Sequence, residues 1–187
     1  MTTRILGIDP GLTRCGFGVI DLGTSRKVTL VQVGTLRSDE SEELTARVGR
    51  IGLEIEALIL SQKPAVIAIE RVFSQANVST VMGTAQISGA VLMLAHKHGI
   101  PVAMYTPTQV KAAVTGSGRA VKDQVGFMVA KILGLSEIPK PADAADSLAI
   151  AICHAWRAPG TTVSAGLTAA QKAWLDAERA AAIKKRG

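Results

Sequence analysis

The sequence predicts an α/β fold in which a mixed five-stranded sheet, made of a three-stranded antiparallel meander plus parallel strands, is flanked by helices. A chain of 187 residues with 48% hydrophobic residues is long enough to bury one core. Its apolar residues are mostly aliphatic and only 3% of the chain is aromatic, which suits interleaved strands and helices better than a small all-β module. Short apolar runs also alternate with segments of helical spacing along the chain.

The first predicted elements are three strands and a helix. Apolar runs at 5–9, 16–21 and 28–36 are separated by Gly, Thr, Ser and Arg, a pattern typical of a β-meander. From Leu44 to Ile59 the apolar residues recur at near-helical spacing. The preceding Ser41, Glu42 and Glu43 are expected to supply a cap and early acidic residues, so a helix of about five turns is predicted.

The next elements alternate between strand and helix. The apolar run 65–69 ends in Glu70 and predicts a central strand buried on both faces, as in a parallel region of a sheet. A helix is predicted over 78–98, with apolar residues spread so widely around it that one face is expected to meet another subunit. A strand over 101–105 follows, and then helices over 108–115, 121–133 and 142–156.

The chain is expected to form one domain followed by a tail. Residues 1–157 carry the predicted elements, and the periodic pattern weakens past Pro159 and Gly160. We expect residues 158–187 to be partly disordered or helical, with an Ala-rich helix from about Thr168.

The charge favours a polyanionic partner. Twenty-one basic and fifteen acidic residues give a net charge of +6, which suits phosphate contacts. Part of the excess lies near the end of the chain at Lys184, Lys185 and Arg186, so a solvated basic tail is an equally good interpretation of composition alone.

The cysteines and the N-terminus bear on cellular location. Cys15 and Cys153 fall in a predicted strand and a predicted helix, which provides neither a disulfide framework nor the spacing of a zinc site. The first apolar run soon meets Asp9 and Pro10 and is too short for a signal peptide or membrane span. We therefore expect a soluble cytoplasmic protein with no membrane partner.

Two carboxylates close predicted strands. Asp9 ends the first strand within Gly7–Gly11, where a turn-forming Asp before Pro is the alternative interpretation. Glu70 ends the central strand and would approach Asp9 if the sheet places the two strands side by side. The alternative interpretation of Glu70 is a strand-end charge that reaches solvent, or one that forms a salt bridge to Arg71 or to a nearby Lys.

Two further carboxylates lie on the last predicted helix. Asp143 and Asp146 are three residues apart, so they project from one face and repel each other. Acids that complement the helix dipole in a first turn are the alternative. Four carboxylates without a His or Cys cluster suit Mg²⁺ or Mn²⁺, and two such ions about 3.5 to 4 Å apart hydrolyse phosphodiesters.

Three segments carry a resemblance to a known family. Residues 5–11, 69–73 and 142–151 resemble the signature segments of the RuvC Holliday-junction resolvases. Intervening residues are also similar to the family, namely Gln109-Val110-Lys111 and Gly116-Ser117-Gly118 followed by Lys122 and Gln124-Val125. The resemblance covers about residues 3 to 157 and does not reach the tail.

The resemblance implies an RNase H-like fold and a homodimer that cuts two opposed strands of a four-way junction symmetrically during DNA recombination and repair. Mg²⁺ is the implied cofactor, two ions per active site, with Mn²⁺ as a substitute. The implied functional partners are a junction-recognition protein and a branch-migration motor ATPase, of the RuvA and RuvB type.

The resemblance also assigns roles to individual residues. The metal-binding catalytic residues would be Asp9, Glu70, Asp143 and Asp146. Lys111 and Lys122 would contact DNA near the scissile phosphate, although ordinary surface lysines are the alternative. Phe73 would stack on a base near the crossover, where the alternative is a Phe that anchors the loop to the core.

Two other functions compete with the nuclease. The segment Gly7–Gly11 also resembles the first phosphate loop of actin-like sugar kinases and ATPases, but those proteins need a second such lobe in a longer chain. A junction-binding protein without catalysis would share the basic charge and use its carboxylates as structural caps. We assign no catalytic role to His96, His98 or His154.

Overall fold

The described part of the chain is residues 2–71 and 78–157 of a computed structural model. Its elements follow the predicted order βββαβαβααα, with a short 3₁₀ turn over Thr24–Arg26 between the second and third strands. The strands are β1 Thr3–Asp9, β2 Arg14–Leu22, β3 Val28–Arg37, β4 Val66–Glu70 and β5 Val102–Tyr105. The helices are α1 Leu44–Gln62, α2 Val78–Lys97, α3 Pro107–Thr115, α4 Lys122–Leu133 and α5 Ala142–Arg157.

The five strands form one mixed sheet in the order β3-β2-β1-β4-β5. The first three strands pair antiparallel, and β4 lies parallel to both β1 and β5. This arrangement confirms the predicted meander plus parallel strands. Ile8 of β1 pairs with Ile69 of β4, so the carboxyl ends of these two strands lie side by side in the centre of the sheet.

Each face of the sheet carries its own hydrophobic core. On one face, Ile5 and Ala68 pack with α3, α4 and α5. On the other face, Ile8 and Ile69 pack with α1 and α2. Because side chains alternate along a strand, the residues next to Ile8 and Ile69, Asp9 and Glu70, belong to the α5 face.

Glycines let α5 lie unusually close to the sheet. A Cβ atom on Gly16 would overlap the carbonyl oxygen of Asp143, and one on Gly7 would overlap the carbonyl oxygen of Ser147. A Cβ on Gly18 would stand 2.7 Å from a methyl carbon of Leu148. The first two turns of α5 therefore rest directly on the backbone of β1 and β2.

The start of α1 departs from the sequence prediction. The helix begins where expected, but the N-cap residue is Glu43 and it makes no side-chain capping hydrogen bond. Ser41 instead donates its hydroxyl and its backbone N–H to Asp39 Oδ1. The prediction of a side-chain cap from this segment was wrong, because Asp39 engages the serine in a local turn before the helix starts.

Helix α2 is apolar on both its inner and its outer faces. Ile87, Val91 and Leu94 are buried against the sheet and α1, whereas Met82 and Met93 remain more than half exposed, at 54% and 57%. Among the described helices, it is the one long and apolar enough to cross a membrane by length and composition, and 33% of that stretch is buried in the protein. Core helices can meet the same criterion.

Both cysteines are free and buried, Cys15 in β2 and Cys153 in α5. They lie on opposite faces of the sheet, in separate cores. The expectation that they form no disulfide is confirmed.

Candidate active site

The ends of β1 and β4 bring two carboxylates together. Asp9 is the last residue of β1 and Glu70 the last of β4, and the parallel pairing of Ile8 with Ile69 places them next to each other. Both side chains belong to the α5 face by strand alternation. The sequence predicted that Glu70 approaches Asp9 only if β1 and β4 are neighbours. The observed sheet order makes them neighbours.

The first turn of α5 adds the other two carboxylates. Asp143 and Asp146 sit over the ends of β1 and β2, where Gly16 lets the helix backbone touch the strand. Asp143 lies 3.3 Å from the Arg14 guanidinium through Oδ2, yet this buried oxygen makes no hydrogen bond among the described residues. Asp146 Oδ2 accepts a hydrogen bond from Lys122 Nζ at 3.1 Å.

The electrostatics indicate that Asp9 lies within reach of the charges of the other three acids. Burial, followed by the charges of Asp146, Glu70 and Asp143 in that order, raises the pKa of Asp9 to about 8. Burial, followed by the charge of Asp146, also raises the pKa of Glu70. These carboxylates are therefore close enough to repel, and a cation placed among them would relieve the repulsion.

Two lysines oppose this negative charge. Lys122 opens α4, and the charge and hydrogen bond of Asp146 raise its pKa, so it stays protonated at neutral pH. Lys111 lies on α3 and lowers the pKa of Glu70 through its charge. A capping box fixes the start of α3, in which Thr106 Oγ1 accepts from the Gln109 N–H and the Gln109 side chain accepts from the Thr106 N–H.

The donor set suits a hard cation, but the side chains are not yet arranged around one. Within residues 2–71 and 78–157, no three His, Cys, Asp or Glu side chains are grouped so that they could hold a metal ion as placed. The four acids supply oxygen donors alone, and the buried Asp143 Oδ2 is an acceptor without a hydrogen bond. A cation bound beside these acids would satisfy that oxygen and offset the crowded negative charges.

A polar cleft of about 570 Å³ opens beside Asp9 and Asp143. Its walls are the β1–β2 loop, the segment between β3 and α1, and the start of α2, with Pro10, Gly11, Leu12, Thr13, Arg14, Glu40, Arg47, Ser79, Thr80, Gly83 and Thr84 as lining residues. Sequence reasoning did not single out Arg14 or Arg47. No motif marks them, because the cleft joins segments that are distant in sequence.

Several other predicted or alternative features fall elsewhere. Phe73 and the tail from 158 onward lie outside the described residues. A hydrogen bond of 2.7 Å joins His98 Nε2 to Glu56 Oε1, and one of 2.8 Å joins His154 Nδ1 to the Tyr105 hydroxyl. In the described part of the chain, no ion pair joins Glu70 to Arg71 or to a lysine, so the salt-bridge alternative for Glu70 finds no support there.

Comparisons with known proteins point to one family. A family model described as crossover junction endodeoxyribonuclease RuvC matches residues 5–154. The crossover junction endodeoxyribonuclease RuvC of Saccharopolyspora erythraea is 59% identical over 156 residues, which is 83% of this chain and 78% of that relative. The relative of the same name from Paenarthrobacter aurescens is 54% identical over 189 residues, covering 99% of this chain and all of its own, 100%.

Solved structures agree with this result. T. thermophilus RuvC in complex with Holliday junction substrate matches with a TM-score of 0.78 at 37% identity, covering 82% of this chain and 93% of that one. The yeast mitochondrial Holliday junction resolvase Ydc2 matches with a TM-score of 0.62 at 17% identity and shares the fold. The predicted RNase H-like fold is confirmed.

Proposed function

The chain belongs to the RuvC family of crossover junction endodeoxyribonucleases, and from this membership we propose how its site acts on DNA. It is a structure-selective endonuclease that resolves Holliday junctions in DNA recombination and repair. Membership decides between the nuclease and its two alternatives, the sugar kinase or ATPase and the inactive junction binder, in favour of the nuclease.

The catalytic residues of the proposal are Asp9, Glu70, Asp143 and Asp146. The observation that carries it is their convergence, which raises the pKa of Asp9 to about 8 through burial and the three neighbouring acids. Crowding of this kind is costly in a structural role and is typical of a site that binds cations. Asp9 and Glu70 would hold the cation from the sheet, and Asp143 and Asp146 from α5.

The family's nuclease activity is metal-dependent, and we assign the metal as Mg²⁺, two ions per site, with Mn²⁺ as a substitute. When bound, Mg²⁺ supplies a Lewis acid for the scissile phosphate and lowers the pKa of a water that can attack it. The protein's own contribution is to supply oxygen donors from rigid elements and to keep a protonated Lys122 beside Asp146.

The basic residues are assigned to the DNA. Lys122 and Lys111 both act on Glu70 through their charge, so they lie where a phosphate entering the site would meet them. Each would stabilise the negative charge of the phosphodiester. For Phe73, which follows β4 by three residues, we keep the proposal of stacking on a base near the crossover.

The proposed assembly is a homodimer that uses the outer face of α2. Met82, Met93 and Val78 are exposed on this helix, Val78 to 71%. An exposed apolar surface of this kind is typical of an interface between subunits. A two-fold axis would present two active sites to two opposed strands, which suits symmetric cleavage of a four-way junction.

The cellular setting of the proposal is the cytoplasm, with junction-recognition and branch-migration proteins of the RuvA and RuvB type as functional partners. Two free, buried cysteines suit a reducing compartment. The exposed side of α2 is assigned to the second subunit and not to a membrane.

The test is cleavage of an end-labelled synthetic four-way junction with Mg²⁺, with a linear duplex as control substrate. The wild type should make paired cuts in the junction and leave the duplex intact. Asp143→Asn should slow cleavage by about a hundredfold or more. It should bind the junction equally well or more tightly, because a negative charge near DNA is removed.

Asp123→Asn is the matched control. Asp123 is an exposed acid in the first turn of α4, so the same change of charge there should leave the cleavage rate unchanged. Cleavage by Asp143→Asn at the wild-type rate would contradict the catalytic assignment. A wild type that cuts no junction sequence with Mg²⁺ or Mn²⁺ would contradict the nuclease function itself.

A further inference from the structure

The polar cleft beside Asp9 and Asp143 has no role in the function described so far. We propose that this cleft binds the backbone phosphate next to the scissile phosphate on the strand that is cut, through Arg47 and Arg14. The inference rests on the proposed nuclease function and deepens it. It assigns the cleft to the substrate and Arg47 to substrate positioning.

Arg47 is held in place as a donor that points along the cleft wall. Its Nε donates to Ser38 Oγ at 3.1 Å, and its Nη2 donates to Thr13 Oγ1 at 2.9 Å. Ser38 is itself fixed, since its hydroxyl donates to the Leu12 carbonyl at 2.6 Å. A guanidinium carries five N–H donors, so two are used for anchoring and others remain for a phosphate oxygen.

This anchoring is unusual for a residue near the start of a helix. Arg47 lies in the first turns of α1, yet both its hydrogen-bond partners lie in loops that border the carboxylate site. A merely solvated arginine would lose side-chain entropy in such an arrangement. Because the Arg47 guanidinium is held rigid before the phosphate binds, the entropic cost of binding is lower, as a positioning residue requires.

Arg14 supplies a second cation at the boundary between cleft and active site. It opens β2, its side chain is 55% exposed, and it lies 3.3 Å from Asp143 Oδ2. The acids in the cleft lining are Asp9, Asp143 and Glu40, and Glu40 accepts a hydrogen bond from Thr13 Oγ1 at 3.1 Å. Once Asp9 and Asp143 are engaged by a cation, the two arginines outnumber the one remaining acid.

The cleft and Lys122 adjoin different acids of the α5 pair. The cleft is lined by Asp9 and Asp143, whereas Lys122 pairs with Asp146. Cationic groups therefore flank the carboxylates in two places, one beside each acid of the α5 pair. A DNA strand carries a phosphate on both sides of the scissile one, and these two cationic regions match that requirement.

The experiment combines protein variants with single methylphosphonate linkages, which remove the charge of one phosphate. Junctions with one such linkage at each of the positions flanking the cut are bound to the wild type, to Arg47→Ala and to Arg50→Ala, with Ca²⁺ present. Affinity is read by fluorescence anisotropy, and a gel confirms that the junction stays intact. Arg50 is the matched control, because it lies on the same helix, pairs with Glu42 and does not line the cleft.

We expect Arg47→Ala to weaken junction binding about tenfold and to lower the slope of affinity against salt by about one phosphate contact. At one flanking position, the methylphosphonate should weaken junction binding by the wild type and by Arg50→Ala. It should have no further effect on junction binding by Arg47→Ala. Junction binding by Arg14→Ala should likewise be insensitive to the methylphosphonate at that position. The Arg14→Ala substitution itself should weaken junction binding less than Arg47→Ala does.

Two measurements keep the test decisive. Thermal unfolding of each variant separates lost anchoring from lost folding, and Arg47→Gln provides a less disruptive change if Arg47→Ala unfolds. Additive effects of protein and linkage at every position, or equal binding by the Arg47 and Arg50 variants, would overturn the inference. If the wild type cuts the junction but the Arg47 substitution and the methylphosphonate linkage act independently, the inference is contradicted and the proposed function is not. If the wild type cuts no junction, the proposed function is contradicted as well.

Discussion

The helices on the two faces of the sheet are packed in different ways. Helix α5 lies on the backbone of β1 and β2 through glycines, and its buried residues run almost continuously from Ala144 to Ala155. Helix α2 buries one side and leaves methionines on its other side more than half exposed. One face of the sheet is thus closed and fixes the side chains that we propose as catalytic, while the other retains an apolar surface that we propose for a second subunit.

The close contact under α5 can be broken at Gly16. In Gly16→Ala the new Cβ meets the backbone carbonyl of Asp143, which no rotamer change can relieve. We expect a loss of about 3 kcal/mol in the free energy of unfolding and a cleavage rate lowered well beyond that loss of folded protein. Chemical denaturation and junction cleavage on the same preparation measure both effects.

Gly49→Ala is the control for that change. Gly49 lies in α1, and a Cβ there would meet nothing within 4 Å. The substitution should stabilise the protein by about 0.5 to 1 kcal/mol, since alanine is the better helix former. A neutral Gly16→Ala would show that α5 does not depend on close contact with the sheet.

The proposed subunit interface on the exposed side of α2 can be tested at Met82. Met82→Lys places a charge on the exposed side of α2 and should weaken self-association by about 2 kcal/mol, while unfolding of the subunit changes little. Sedimentation velocity over a range of concentrations measures the change. Leu53→Lys on α1, where the side chain is 69% exposed, should leave self-association unchanged. Equal effects at both positions would contradict the assignment of α2.

On the α5 face, Asp9 should also make the free energy of unfolding depend on pH. Burial and the neighbouring acids raise the pKa of its carboxyl to about 8 in the folded protein, from an ordinary value of 3.8. Below about pH 4 both states are protonated, and as the pH rises toward 8 the unfolded chain releases its proton first. The stability that protonated Asp9 contributes is therefore lost between about pH 4 and pH 8.

Asp9→Asn removes this titration and keeps the shape of the side chain. The variant should match the wild type near pH 4 and should be more stable by about 3 to 5 kcal/mol at pH 8 in chelator, while cleavage is lost. Added Mg²⁺ should narrow the gap, because the cation stabilises the wild type alone. Thermal unfolding at the two pH values provides the measurement, and a gap that is equal at both would show that Asp9 is not crowded by the other acids.

Much of the fold follows from local patterns in the sequence. Within residues 3–157, each predicted strand and helix forms within about three residues of its expected bounds, because apolar periodicity and Gly or Pro breaks are properties of neighbouring residues. The start of α1 was mispredicted at the cap, where Asp39 competes for Ser41. That outcome depends on the geometry of one turn, which composition does not determine.

The site was predicted unevenly, for a related reason. Asp143 and Asp146 were paired from their helical spacing, but the approach of Asp9 to Glu70 required knowing that β1 and β4 are neighbours. Arg47 was not predicted, since Ser38 and Thr13 reach it from two separate loops. The need for glycine at Gly16 also depends on a helix that comes much later in the chain.

The order of the elements has a consequence during synthesis. Asp9 and Glu70 belong to the first half of the chain, whereas Asp143 and Asp146 belong to the last described helix. A nascent chain therefore carries half of its carboxylates on the sheet long before the other half exists, and the site is assembled when α5 docks. On the proposed assignment of the four acids, a chain that lacks α5 has only half of the site, so cleavage of DNA is expected only after the fold is complete.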